Sequence, residues 1–130
     1  MLTLSDAKHA PGWSEGEHRV PGRADAVMAM AVEVRCYGSG ESLEFRFADQ
    51  SGRLTFEVAQ DLDSESSTVE LEFSLTANGR AIESKRVAFD EHATLSTDLT
   101  GVSAAILTVA GADCRDTTTA LVTSATVEAQ

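Results

Sequence analysis

The chain is poor in the residues that usually announce chemistry. It has two cysteines, Cys36 and Cys114, in 130 residues, too few for a disulfide framework or a four-ligand zinc cage. Its three histidines, His9, His18 and His92, are scattered, none within four positions of another, so the paired spacing of a histidine metal centre is missing. One tryptophan and one tyrosine leave little aromatic surface for a deep catalytic cleft. No uninterrupted apolar stretch reaches the length of about 18 residues that a membrane-spanning helix needs. The opening Met1-Leu2-Thr3-Leu4-Ser5-Asp6 lacks the basic and apolar regions of a signal peptide. On that reading the protein is cytoplasmic, or else a domain excised from a larger one.

Basic residues are scarce as well. Ten lysines and arginines stand against 21 acids, a formal charge of −11. A surface this negative repels phosphate backbones and anionic lipid, which excludes nucleic acid and membrane surfaces as expected partners. The imbalance is also local: Glu57, Asp61, Asp63, Glu65, Glu70 and Glu72 lie between Arg53 and Arg80 with no cation among them. Such a run serves first as a solubilising, anti-aggregation face, and secondarily as an acidic docking surface or cation site.

What the chain does have is alternation. Val69, Leu71, Phe73 and Leu75 interleave with Glu70, Glu72, Ser74 and Thr76, giving a strand one apolar and one wet face. Asn78-Gly79 follows, a dipeptide that tolerates positive φ at both centres of a tight hairpin turn, and a second β-prone run leads to Val87 and Phe89. Leu43, Phe45 and Phe47 form another alternating set, and Leu54, Phe56 and Val58 a third. Met28, Met30, Val32, Val34 and Cys36 read as one inward series, with Cys36 a small buried hydrophobe. Cys114 sits in a polar loop, so a Cys36–Cys114 bridge needs that loop to fold back over the strand. Ala93–Thr97 reads as a brief strand, Ser103–Ala110 as a central strand covered on both faces, and Thr118–Glu128 as the closing strand.

Residues 1–27 are the least regular. Leu2 and Leu4 suggest a short edge strand; Pro11, Gly12, Gly16, Pro21 and Gly22 then punctuate an extended loop holding Trp13. Eight or nine short strands without a sustained helical period predict one all-β domain over residues 1–130, an antiparallel β-sandwich with the loop-rich segment 1–27 packed on it. An eight-stranded jelly roll suits the count better than a seven-stranded immunoglobulin fold, which would want its tryptophan in a core strand.

Four pieces, in order, resemble the NPCBM type of carbohydrate-binding module. They are Leu4-Ser5-Asp6 with Gly12-Trp13; Leu43–Phe47 followed by Leu54–Asp63; Val69–Ile82 with its Asn78-Gly79 turn; and Leu99-Thr100-Gly101-Val102 leading into Ala105–Val109. The resemblance implies a galactose-binding-like jelly roll that acts as a non-catalytic accessory domain, with carbohydrate as its ligand. The chain departs from that pattern after the strand at Ala105–Val109, where Ala112-Asp113-Cys114-Arg115-Asp116 replaces an Asp/His/Trp loop, and at Met30-Ala31-Val32, where a Gly-x-His-Ala stretch is expected. These departures keep a second expectation open, an intracellular protein-interaction or assembly domain of the same fold.

Ligand contacts are expected on loops at one end of the sandwich. Trp13 is either a stacking platform for a sugar ring or, the commoner arrangement, a plug across an open end of the core. Glu17, His18 and Arg19 offer hydrogen bonds to hydroxyls, as do Asp61 and Asp63. The Asp61-x-Asp63-x-Glu65 spacing also suits a structural calcium ion, although it lacks the glycine and distal glutamate of an EF-hand. No cofactor is expected, no pair of carboxylates stands out for glycoside hydrolysis, and no nucleophile is nominated.

Overall fold

Alternation becomes strand wherever one face finds a core. The computed structural model describes residues 1–35, 40–48, 50–64, 67–112 and 117–129. Nine strands run through them: β1 Ser14–His18, β2 Val27–Val34, β3 Glu41–Arg46, β4 Arg53–Gln60, β5 Leu71–Ala77, β6 Arg80–Val87, β7 His92–Asp98, β8 Ala104–Gly111 and β9 Thr118–Glu128. They form two antiparallel sheets, ordered β1-β2-β9-β4-β7 and β3-β8-β5-β6. From β2 onward the chain changes sheet at every connection except the β5–β6 hairpin, the winding of a jelly-roll sandwich. Cys36, Cys114 and Glu65 fall outside the described residues, and with them the expected burial, exposure and bridge. Among the described residues no helix is long and apolar enough to cross a membrane.

The two inner faces meet in one cluster. Leu43 and Phe45 of β3, Leu71, Phe73 and Leu75 of β5, and Leu107 of β8 pack with Leu54, Phe56 and Val58 of β4, Leu95 of β7 and Val122 of β9. Phe45 and Phe56, from opposite sheets, have ring centroids 6.1 Å apart. Each such side chain contributes about 1.5–3 kcal/mol of burial. The β5–β6 turn has the conformation its dipeptide predicts, with Asn78 at φ 51 and Gly79 at φ 79. Asn78 does more than turn: its side chain accepts from the Ser103 and Ala104 N–H groups and donates to the Gly101 carbonyl, tying the hairpin to the start of β8.

Both open sides of the sandwich are closed by polar groups. On one, Glu83 of β6 accepts the Ser96 N–H and Lys85 donates to the Thr94 carbonyl, so side chains of one edge strand occupy backbone groups of the other. On the other, the N-terminal segment runs as a strap: the Leu2 N–H donates to the Ala125 carbonyl, and Lys8 and His9 bond Glu44 on the edge of β3.

Four expectations need correction. Leu2 and Leu4 do not form a strand; Leu4–Asp6 is a single 3-10 turn, because Asp6 caps the Thr3 N–H at 2.8 Å. Residues 13–19 are not one loop, since Ser14–His18 pairs with Val27–Ala31 as an edge hairpin. Met28 is 56% exposed. β2 pairs with β9 only over Met30–Val34, and its first half leaves the sandwich core, so nothing covers the Met28 side. Finally, β8 is central in its sheet but buried on one face: Ile106, Thr108 and Ala110 are half-exposed.

One core group is polar. Gln60, at the end of β4, is fully buried; its amide donates to the Val69 and Val87 carbonyls at 2.8 and 2.9 Å, and its oxygen accepts from Thr118 at 2.7 Å. It thereby links the end of one sheet to both strands at the open end of the β5–β6 hairpin in the other. Gln60→Leu keeps the volume but strands two carbonyls and a hydroxyl. The expected outcome is a loss of about 3 kcal/mol, read as a lower urea midpoint at unchanged m-value.

Candidate functional site

Strand alternation places Gln60 inward and Asp61, the next residue, on the outward side. There Asp61 becomes the centre of a small polar junction. Its N–H donates to the Thr119 carbonyl, its Oδ1 accepts the Asp63 N–H at 2.8 Å, and its carbonyl accepts the Ser64 N–H. This is an aspartate-stabilised turn. Its remaining oxygen, Oδ2, accepts from His18 Nδ1 at 2.6 Å. The contact is largely screened from water, with side chains 21% and 11% exposed.

A second link lies beside the first. Arg19 donates to Asp63 at 3.0 Å, and the Leu62 N–H donates to the Arg19 carbonyl at 3.0 Å. The structure therefore brings together four of the residues singled out in the sequence, His18, Arg19, Asp61 and Asp63, from positions more than 40 apart. Glu17 belongs to the same strand end but, by alternation, faces away from His18. Trp13 is elsewhere. It precedes β1 while His18 ends it, which separates the two by roughly 16 Å of extended chain. Trp13 is only 8% exposed, packs in the main core cluster, and donates Nε1 to the Ser42 carbonyl at 2.9 Å. This is the plug arrangement, and it leaves little ring face for a sugar.

In the described part of the junction the two aspartates are already engaged, and Glu65, the third residue of the calcium spacing, lies outside it. Asp61 spends both oxygens on His18 and the Asp63 N–H, and Asp63 already faces the Arg19 guanidinium. Among the described residues no three acids, histidines or cysteines converge on a metal position.

Beside the junction is an open groove of about 220 Å³. The β1–β2 hairpin bends over the outward face of the five-stranded sheet, where Val20, Val27, Ala29 and Ala31 bury Leu121. The connection Val20-Pro21-Gly22-Arg23 is a tight turn, with Gly22 at φ 81 and the Arg23 N–H on the Val20 carbonyl. Proline then glycine at its centre is the composition that a type II turn requires. This turn forms one wall; Glu57 and Ala59 of β4, Thr123 of β9 and His92 of β7 complete the lining. Thr123 is the extra residue of a bulge, since Glu57 pairs with Ser124 and Val58 with Val122. The sequence flagged Pro21-Gly22 as a break, but nothing in it places Arg23, Glu57, His92 and Thr123 together.

Two short strings match hydrolase patterns in their letters alone. Gly12-Trp13-Ser14-Glu15-Gly16 spells the nucleophile elbow and Ser5-x-x-Lys8 the penicillin-binding motif. The elbow requires a strand-to-helix turn, whereas Ser14 opens an edge strand after a turn. Ser5 lies in the 3-10 turn with its hydroxyl against Thr3. Neither string has the context of a nucleophile.

No family model matches the chain, and none of the curated proteins is similar to it in sequence. Solved structures are similar in fold. The CBM51-2 and INT domains of Clostridium perfringens ZmpB, in complex with GlcNAc, superpose with a TM-score of 0.68 at 13% identity, over 92% of this chain and 29% of that one. The CBM51 of C. perfringens GH95, in complex with methyl-galactose, gives 0.65 at 11% identity over 95% and 97%. CBM28, a carbohydrate-binding module specific for non-crystalline cellulose, gives 0.55 at 13% identity over 90% and 87%. At these identities the likeness establishes the β-sandwich fold.

The junction predicts an uneven response to substitution. Asp61→Ala is expected to cost about 2 kcal/mol, because a screened hydrogen-bonded pair and a turn are lost together. Arg19→Ala, which removes an exposed pair, is expected to cost at most about 0.5 kcal/mol. Urea melts of both variants check this ordering; equal costs would contradict it.

Proposed function

We propose that the chain is a non-catalytic carbohydrate-binding module, of the NPCBM type that its sequence resembles. The reading is carried by the backbone likeness to sugar-complexed CBM51 structures over nearly the whole chain. The ligand is held at the rim where the β1–β2 connection meets the end of β4, around Glu17, His18, Arg19, Asp61 and Asp63. Trp13 supports this hairpin from the core and does not touch the sugar. Recognition without turnover also suits the carboxylates. Glycoside hydrolysis uses two acids facing one bond; at this rim Asp61 and Asp63 are engaged by His18 and Arg19, and among the described residues the neighbouring groove has one carboxylate in its lining, Glu57.

A glycan array tests the reading. Binding to galactose- or N-acetylglucosamine-terminated glycans is expected, with tryptophan emission unchanged because Trp13 is buried at the other end of β1. Silence across the array, together with a defined oligomer in light scattering, would replace this reading with that of an assembly domain.

A further inference from the structure

The groove beside the junction has a lining that sorts ligands by charge. Its rim carries one carboxylate, Glu57, one guanidinium, Arg23, and one imidazole, His92. All three are exposed, and among the described residues none is engaged in an ion pair or side-chain hydrogen bond. A purely anionic ligand is repelled by Glu57 as it is drawn to Arg23, and a purely cationic one the reverse, so each finds no net attraction to offset the desolvation of its own charge. A neutral polyhydroxylated ring meets no such penalty. Its hydroxyls donate to the carboxylate and accept from the guanidinium, charge-assisted bonds of the stronger kind.

The remainder of the lining is apolar or small. Val20 and Ala59, themselves almost wholly buried, and half-buried Val27 make an apolar floor, the kind of lining on which the C–H face of a pyranose rests. The groove's volume of about 220 Å³ is of the order of one sugar ring, and its open side leaves further units of a longer glycan in solvent. Its wall is fixed from both ends. The Pro21-Gly22 turn sets where Arg23 stands, and the His18–Asp61 and Arg19–Asp63 contacts hold the base of that turn against the end of β4.

From this geometry we infer that the sugar-binding site is this groove on the outward face of the five-stranded sheet, that it takes a single neutral pyranose, and that Glu57, Arg23 and His92 make the polar contacts. The inference rests on the carbohydrate-binding reading above and moves the contact residues from the junction to its neighbour. His18, Arg19, Asp61 and Asp63 become positioning residues, which act by holding the groove wall. With no aromatic platform in the lining, affinity for a free monosaccharide falls on the order of 1 mM.

The test is an NMR titration of the whole chain with methyl-galactoside and with N-acetylglucosamine, repeated on Glu57→Gln, Arg23→Ala and His92→Ala. A fourth variant, Glu72→Gln, lies on the other sheet and serves as control. The expected result is saturable shifts centred on residues 20–27, 57–59, 92 and 123. Affinity should fall at least tenfold in Glu57→Gln and Arg23→Ala, and stay unchanged in Glu72→Gln. Melting temperatures should not move, since the three groove residues are exposed and unpaired. Sugar binding that persists undiminished in all three groove variants would overturn the site while leaving the carbohydrate reading intact. An absence of binding both here and on the glycan array would overturn both.

Discussion

Two consecutive residues at the end of β4, pointing in opposite directions, hold the molecule's two levels of organisation together. Gln60 turns into the core and gives its whole hydrogen-bonding capacity to the facing sheet and to Thr118. Asp61 turns outward and gives its own to His18 and to the turn that follows. A buried carboxamide is costly unless satisfied, and each polar atom of this one has a partner, which ties its position to both sheets. Because β4 is rigid there, Asp61 is fixed too. The β1–β2 hairpin is held along β2 by its pairing with β9 and by the Leu121 cluster, and that fixed point pins its turn end.

The acidic character of the chain follows the same economy. In sequence, the stretch from Glu57 to Glu72 has no cation to offset it. In space, His18 and Arg19 come from β1 and its following loop to Asp61 and Asp63, and Arg86 of β6 lies 3.5 and 3.9 Å from Glu70 and Glu72. The exposed pairs among these, Arg19–Asp63 and Arg86 with Glu70 and Glu72, contribute little stability. Their effect is to offset acids locally on each sheet; in the groove lining, one acid and one guanidinium remain available for a ligand. Among the described residues, the large apolar side chains exposed besides Met1 are Met28 and Ile82, on different sheets.

The parts of this structure that were legible in the sequence are those whose periodicity has a single cause. β3, β4 and β5 each bury one face against the other sheet, so Leu43/Phe45, Leu54/Phe56/Val58 and Leu71/Phe73/Leu75 could be read directly, as could the Asn78-Gly79 turn. β1 was not legible: an edge strand of Ser-Glu-Gly-Glu-His buries nothing and shows no alternation. Met28 was misread because its alternation continues past the point where β2 leaves the core. Gln60 carries no signal, since a satisfied buried amide depends on carbonyls nine and 27 residues away. His18, Arg19, Asp61 and Asp63 were identifiable as polar loop-end residues, but their pairing was not. The groove is further out of reach, because Arg23, Glu57, His92 and Thr123 span most of the chain and meet only after a hairpin has bent across a sheet.

Sugar binding in the groove requires this hairpin and the end of β4 to form one ligand-holding unit. A crystal structure of the chain soaked with methyl-galactoside shows whether they do. The expectation is one ring in the groove, its hydroxyls on Glu57 and Arg23, with the His18–Asp61 contact intact behind it. A ring bound at the opposite end of the sandwich, near Gln50 and Gly101, or stacked on an exposed Trp13, would contradict it.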